Sequence, residues 1–399
     1  MKTFIKPFFI LLIFSLVFSS CTEDNDDNIG PQLPEDQKDI AVIDNQITQF
    51  MSKWEYPGAT LAISKNGKLV YSKAYGLADV EGNQAMTTDQ RMRIASISKT
   101  FTGVAILRLV QDGKLGLDDK VFGEGGLLAN EYGTRAYSER VKQVTVRQLL
   151  HMTTGGWVLA NDRDAIDSNP NLNNKQFFDW MLDNALLKHD PGTRYWYVNT
   201  NYFVAARVVE KISGKSFYQF MKDDFLDPLG ISSAVMARRS LEGRHPNEVK
   251  YYGIGNIKGF EYGFNIERRD GDGGMVISAA DLLKFVLAIN GKPDRDQLLE
   301  PAIHQEFTKG SGSSPLNNTF GLGVVRSQNG ISFSGALPGT RTVFQTDNNT
   351  GLAVALLFNG CVDYTNATIW NNFNQEFFAL ANTLVTQNAN VYQNIDQFK

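Results

Sequence analysis

The chain has 399 residues, 42% of them hydrophobic, which is enough to bury one large core or two coupled ones. Its net charge at pH 7 is −4, with no basic patch, which argues against a nucleic-acid partner.

Lys2 and Lys6 precede an apolar run from Phe8 to Phe18, closed by Ser19, Ser20 and Cys21. Basic, then apolar, then small residues is the order of a signal peptide. The run is too short to span a bilayer, so residues 1–20 read as a cleaved leader. A cysteine directly after small residues resembles a bacterial lipobox, although Phe18 stands where Leu is usual. That resemblance implies lipidation of Cys21 and a membrane anchor in the cell envelope. Residues 21–38 carry Glu23, Asp24, Asp26 and Asp27 and read as an acidic, disordered tether. Acidic residues at this place also resemble a tag for display on the outer membrane surface. With Cys21 lipidated only Cys361 remains, so no internal disulfide is expected. Cys361 follows an apolar run and reads as a small buried hydrophobe.

A domain is expected over residues 39–384. Ile40, Ile43, Ile47 and Phe50 recur at helical spacing over 39–53. Gly58 to Ser64 and Leu69 to Tyr75 read as strands joined by Asn66-Gly67, a hairpin signal. From about 115 to 266 the pattern is mainly helical: Val146 to Met152, Gln176 to Asn184, Thr200 to Ile212 and Phe217 to Phe225. Residues 123–140 have no clear period. Ser278 reads as the cap of a helix from Ala279 to Ile289. Strand patterns follow at Phe320 to Ser327, Gly330 to Gly335, Thr340 to Thr346 and Gly351 to Asn359. Thr365 to Leu384 reads as a closing helix, and 385–399 as a polar tail. Strands near both ends with helices between them predict an α/β fold: an antiparallel sheet of five or more strands, flanked by helices, with a mainly helical region inserted.

The chemistry concentrates in Ser96-Ile97-Ser98-Lys99. A serine and a lysine three apart on a helix share a face. A hydroxyl becomes a nucleophile once a neighbour takes its proton, and a buried lysine can do so because burial disfavours its charged form. The helix that follows runs Phe101, Val104, Ala105, Ile106, Leu107, Leu109, Val110, with Arg108 its one charge before Asp112, the pattern of a core helix. Alone, S-x-x-K is weak, since about one or two chance matches are expected in a chain this long. Tyr197-Val198-Asn199 follows the turn Pro191-Gly192-Thr193 and precedes a helix, so it sits on a loop able to face a cleft. The same Tyr-x-Asn spacing at Tyr364 and Tyr392 lacks that context.

Taken together, PGATLAISKNGKLVYSKAYGLAD (57–79), RIASISKTFTGVAILRLVQDGKLGLDD (93–119), PGTRYWYVNTNYF (191–203), GGMVISAADLLKF (273–285) and FSGALPGT (333–340) resemble the serine β-lactamase and penicillin-binding-protein-like hydrolases, nearest their class C and esterase branch. The resemblance implies that Ser96 is acylated and Lys99 is its base. It implies that Tyr197 relays the proton and that Asn199 orients the substrate amide or Lys99. It implies too that backbone N–H groups of Ser96 and Ala336 form the oxyanion hole and that no cofactor or metal takes part. A tyrosine beside a lysine is expected to have its phenolate favoured. The scattered histidines, His151 among them, are not metal ligands by spacing.

The third motif departs from the family. Phe333-Ser334-Gly335 stands where Lys or His, a small residue and Gly are usual, so the substrate strand lacks its cation. Ser334 keeps a hydroxyl and Gly335 keeps room for a substrate along the strand. Arg341 on the next segment is a candidate for a replacement cation, but it reads better as a surface strand residue. The expected function is a cell-envelope serine hydrolase acting on an ester or amide: a β-lactam, a D-amino-acid peptide or a neutral ester. The alternative is a catalytically weak lipoprotein binding peptidoglycan-like or peptide ligands. Oligomeric state is not readable from the sequence.

Overall fold

The computed structural model describes residues 39–387, 389–393 and 395–398. The leader, Cys21 and the tether lie outside the described residues. Helix α1 (Ala41–Trp54) leads into β1 (Gly58–Lys65), β2 (Lys68–Asp79) and a two-residue β3 (Gln84–Ala85). Asn66 and Gly67 both take positive φ, 49° and 78°, the requirement of a tight turn between twisted strands.

Next come β4 (Arg91–Arg93), a turn of 3-10 helix at Ala95–Ile97, and α2 (Ser98–Gln111). Every residue of α2 from Ser98 to Leu107 is buried, as its unbroken apolar character requires. The central region holds α3 (Val146–Leu150), α4 (Asn174–Asn184), α5 (Thr200–Ser213) and α6 (Phe217–Met221), separated by loops and strands of two or three residues. Capping boxes start α3 at Thr145–Gln148 and α4 at Asn173–Gln176. The single helix expected over Phe217–Phe225 instead passes into a π turn at Lys222–Leu226. A short strand β5 (Val235–Met236) and β6 (Met275–Ser278) pair with β4 in the order β4-β6-β5.

Ser278 caps α7 (Ala279–Leu287), its hydroxyl accepting from Asp281 N. Helix α8 (Pro301–Thr308), with proline at its first position, went unread in the sequence. The strand expected over Phe320–Ser327 shrinks to β7 (Val325–Arg326). The chain ends with β8 (Ile331–Leu337), β9 (Thr340–Asp347), β10 (Leu352–Phe358) and α9 (Ala367–Thr386).

These strands form one seven-stranded antiparallel sheet in the order β7-β8-β9-β10-β1-β2-β3. Strands from the two ends of the domain meet where Ala62 pairs with Ala355. The strands are buried on both faces, and their side chains alternate between two cores. Val354, Leu356 and Phe358 join Ile43, Phe50, Phe373 and Phe377 under α1 and α9. Ala353, Ala355 and Leu357 join α2 and α7 residues such as Ile106, Leu282 and Val286. Each fully buried aromatic or aliphatic side chain contributes about 1.5–3 kcal/mol.

The segment after α9, read as a polar tail, packs back on the sheet: Leu69 N donates to Asp396 Oδ1 and Gln397 N to Leu69 O. Cys361 is buried and unpaired with another cysteine among the described residues, and burial pushes its thiol up to about 12. Among the described residues, no helix is long and apolar enough to cross a membrane.

Candidate active site

Ser96 sits on the 3-10 turn between β4 and α2, just after Ala95, whose φ of 48° is left-handed. Such backbone persists where its surroundings hold it, and here they do. Thr340 Oγ1 donates to Arg93 O at 2.8 Å and Thr342 Oγ1 to Ile94 O at 3.0 Å. Ile94 N donates to Met275 O, and Met275 N donates to Ser98 Oγ. Thr102 Oγ1 reaches Gly271 O at 2.6 Å. The Ser96 turn is therefore clamped by β6 and β9, not only by its own helix.

Lys99 is 0% exposed. Its Nζ lies 3.1 Å from Ser96 Oγ, 2.8 Å from Asn199 Oδ1 and 2.8 Å from the Asp272 carbonyl oxygen. An ammonium would spend all three protons on these partners. A neutral amine keeps two donors for the two carbonyl oxygens, which only accept. Its lone pair then faces Ser96. Burial lowers the Lys99 pKa to about 8; the Asp272 carboxylate opposes that shift, and Arg269 adds to it. The amine is then about a tenth of the population at pH 7 and the major form above pH 8.

Tyr197 donates to Ser96 Oγ at 2.9 Å, and its ring centre lies 5.0 Å from Lys99 Nζ. The residue is 38% exposed, at the mouth of the site. The expected phenolate does not form at rest. Desolvation of the phenol raises its pKa well above the ordinary tyrosine value, with the Ser96 hydrogen bond opposing. Tyr197 is thus held as the neutral phenol.

Asn199 Oδ1 holds Lys99, while its backbone N–H donates to the Asp164 carboxylate. Asp164 also binds Thr200 Oγ1, so it seats the first turn of α5. Beneath Lys99, Arg269 Nη1 donates to Asp272 Oδ2 at 2.7 Å, and Nη2 pairs with Asp167. Asp272 is 1% exposed and its Oδ1 has no partner. Burial pushes its carboxyl up to about 6, with Arg269 and Lys99 opposing.

Strand β8 runs against the nucleophile turn. A Cβ at Gly335 would lie 2.2 Å from Ile94 O and 2.9 Å from the Ala95 Cβ, so only glycine allows this approach. Ala336, the expected oxyanion donor, follows directly. Ser334 is half-buried, and Phe333 is buried in an aromatic chain: Phe333 packs on Phe320 at 5.7 Å, and Phe320 on Tyr197 at 6.3 Å. The wall beside Tyr197 is apolar where the family has a cation.

Arg341 supplies no substitute. It is 2% exposed on the opposite face of the sheet, its guanidinium 4.1 Å from the Phe377 ring centre of α9. It is neither a surface strand residue nor a cation in the cleft, because β9 alternates Thr340 and Thr342 toward Ser96 and Arg341 away. A cavity of about 760 Å³ opens beside Leu337 and Arg269, lined in part by Arg163, Phe260, Phe264 and Tyr364.

A family model described as Beta-lactamase matches residues 43–372. The chain belongs to the beta-lactamase family. Protein flp of Staphylococcus aureus (strain MW2) is 30% identical over 203 residues, 51% of this chain and 39% of that protein. Penicillin-binding protein 4* of Bacillus subtilis (strain 168) is 27% identical over 322 residues, 73% of this chain and 65% of that protein. This chain therefore spans less than two thirds of either relative's length. The solved D-amino acid amidase from Ochrobactrum anthropi SV3 aligns with a TM-score of 0.66 over 86% of this chain and 98% of that one, at 20% identity, a likeness of fold.

Within this beta-lactamase-family domain the sequence reading missed Asp164, Arg269 and Asp272, and the threonine clamp of β9. Gly271 to Gly274 reads as a break in the chain, and Asp272 between Gly271 and Gly273 was its one local signal of a buried carboxylate. His151 is buried, and burial lowers its pKa to about 4.

Proposed function

We propose that this chain is a serine hydrolase that acylates Ser96 with an ester or amide substrate. One observation carries the reading: Ser96 Oγ lies within hydrogen-bond reach of both Lys99 Nζ and the Tyr197 hydroxyl. The Lys99 amine takes the Ser96 proton as Oγ bonds to the substrate carbonyl carbon. The N–H groups of Ser96 and Ala336 hold the oxyanion. Collapse breaks the bond to the leaving group, which takes the Tyr197 phenolic proton, and the Lys99 ammonium restores that proton. Water then attacks the acyl ester, gives its proton to the same relay, and Ser96 leaves with its hydroxyl reformed.

Phe333 and its aromatic neighbours favour neutral esters and amides over carboxylate-bearing β-lactams or D-Ala-D-Ala peptides. The amide substrate of the Ochrobactrum enzyme and the penicillin binding of the Bacillus relative name the classes to assay. Phe333 also favours the second reading, binding with little turnover, because the family's strand cation is absent. A fluorophosphonate adduct on Ser96, lost in Ser96→Ala, followed by turnover of neutral esters or D-amino-acid amides, supports the hydrolase. A protein that binds such ligands but forms no adduct at high probe concentration is the second reading.

The proposed location is the cell envelope, with lipidated Cys21 anchoring the domain to the outer membrane through the acidic tether. Cys21→Ser should release the protein into soluble fractions. Unchanged membrane association would contradict lipidation.

A further inference from the structure

The Arg341 guanidinium is buried with no carboxylate partner among the described residues. Nη1 donates to Gly335 O at 3.0 Å, Nη2 to Asn374 Oδ1 at 2.7 Å, and Nε has no partner. The ring of Phe377 and, at 5.1 Å, that of Trp370 cover it. An unpaired buried cation is an expensive way to fill space, and a methionine or leucine would pack there at less cost. Its one backbone contact is to the strand that runs against the Ser96 turn.

The carbonyl of Gly335 and the N–H of Ala336 belong to the same peptide unit. That unit is planar and trans, so its oxygen and its N–H point in opposite directions. The oxygen faces β9, where Gly335 pairs with Thr342 across a two-residue turn, and Arg341 of that strand donates to it as well. The N–H therefore points toward the other edge of β8. Strand β7 pairs only with Ile331 and Ser332, so at Ala336 that edge has no strand partner. A donor on the oxygen draws density through the amide and makes the N–H on the far side a stronger donor, and a charged donor does so most.

We propose that Arg341 is a positioning residue for catalysis: from behind the sheet it polarises and fixes the Gly335–Ala336 peptide, strengthening the oxyanion donor at Ala336. This inference rests on the acyl-enzyme reading of Ser96. It places a positive charge behind the oxyanion hole of a chain whose substrate strand has lost the cation in front, at Phe333. Arg341 touches neither substrate nor nucleophile.

The test is the carbonyl stretch of the acyl-enzyme formed by a slowly deacylating ester, read by infrared difference spectroscopy, in wild type, Arg341→Lys, Arg341→Gln and Arg341→Met. Lysine keeps the charge, glutamine keeps a neutral donor, and methionine keeps neither. The expected order of carbonyl frequency is wild type lowest, then Lys, Gln and Met. kcat should fall about tenfold at Met while KM changes less than about twofold. Should Arg341→Met fail to fold, the wild-type, Lys and Gln members still decide, since packing alone would leave their carbonyl frequencies equal. Equal frequencies across the folded set, with Ser96 acylated in each, would overturn the role of Arg341 and leave the hydrolase reading standing. No adduct on Ser96 in wild type would overturn both.

Discussion

Tyr197 places its hydroxyl 2.9 Å from Ser96 Oγ although 101 positions separate the two in the chain. Together with Lys99 at 3.1 Å it gives Ser96 one partner able to accept a proton and one able to donate. Tyr197→Phe should therefore leave folding almost intact, since the residue is at the cleft mouth, and lower kcat/KM for an ester by about 10²–10⁴. Thermal melts and steady-state kinetics on one preparation check this. A variant retaining full turnover would remove Tyr197 from the proton relay.

Lys99 sets the pH dependence. With its pKa lowered to about 8, kcat/KM should rise through that pH as the amine loses its proton. The stability consequence has a definite sign. The unfolded chain holds its lysine proton up to about 10.4 and the folded protein only to about 8, so between those values the unfolded state binds more protons. Wild type should gain stability relative to Lys99→Met as pH rises through that window. Below it the buried ammonium costs about 3 kcal/mol. Denaturant melts of both proteins from pH 7 to 10 measure the difference, and a flat difference would mean an unperturbed lysine.

Asp272 tunes that lysine. Its carboxylate is the largest influence holding the Lys99 pKa up against burial, while its backbone carbonyl makes the direct contact. Asp272→Asn keeps the carbonyl and removes the charge. The acid limb of the kcat/KM profile should move to lower pH, by about one unit or less. Movement to higher pH would show that Asp272 acts on Lys99 by some route other than charge.

Phe333→His restores a residue of the type the family carries on this strand. Turnover of a carboxylate-bearing substrate should rise about tenfold relative to a neutral ester, through one charge-assisted hydrogen bond. The change also breaks the Phe320–Phe333 contact, so stability should fall by about 1–3 kcal/mol. Competition between a cephalosporin and a neutral ester reads the preference. An unchanged ratio would mean that this wall does not touch the substrate carboxylate.

Gly335→Ala tests how closely β8 must approach the nucleophile. Its Cβ would meet Ile94 O and Ala95, the residues before Ser96. Acylation should be lost together with about 2 kcal/mol or more of stability. A stable, active variant would mean that β8 can retreat without consequence.

Ser96 and Lys99 were legible because their relationship is local: two side chains one helical turn apart share a face wherever that helix is placed. Strands β1, β2, β9 and β10 were legible because long apolar runs with turn signals between them leave few alternatives. Phe320 to Ser327 misled for the opposite reason, since Phe320 packs on Tyr195, Tyr197 and Phe333 and only Val325 and Arg326 pair along the ladder. Tyr197 could be preferred over Tyr364 and Tyr392 only through its turn-and-helix context and the family motifs around it. Arg341 was misplaced because strand alternation says that Thr340, Arg341 and Thr342 divide between two faces, not which face meets Ser96.

The sequence by itself determined the helix that carries Ser96 and Lys99, the strands near both ends of the domain, and the phenylalanine at the substrate strand, since each depends on residues close together in the chain. Tertiary structure decided the proton states: Lys99 partly neutral, Tyr197 protonated, Asp272 raised. A charge's energy depends on the water removed around it and on every dipole brought near. For these groups that environment is assembled from Asp164, Arg269, β6 and β9, segments that meet only when the whole chain has folded.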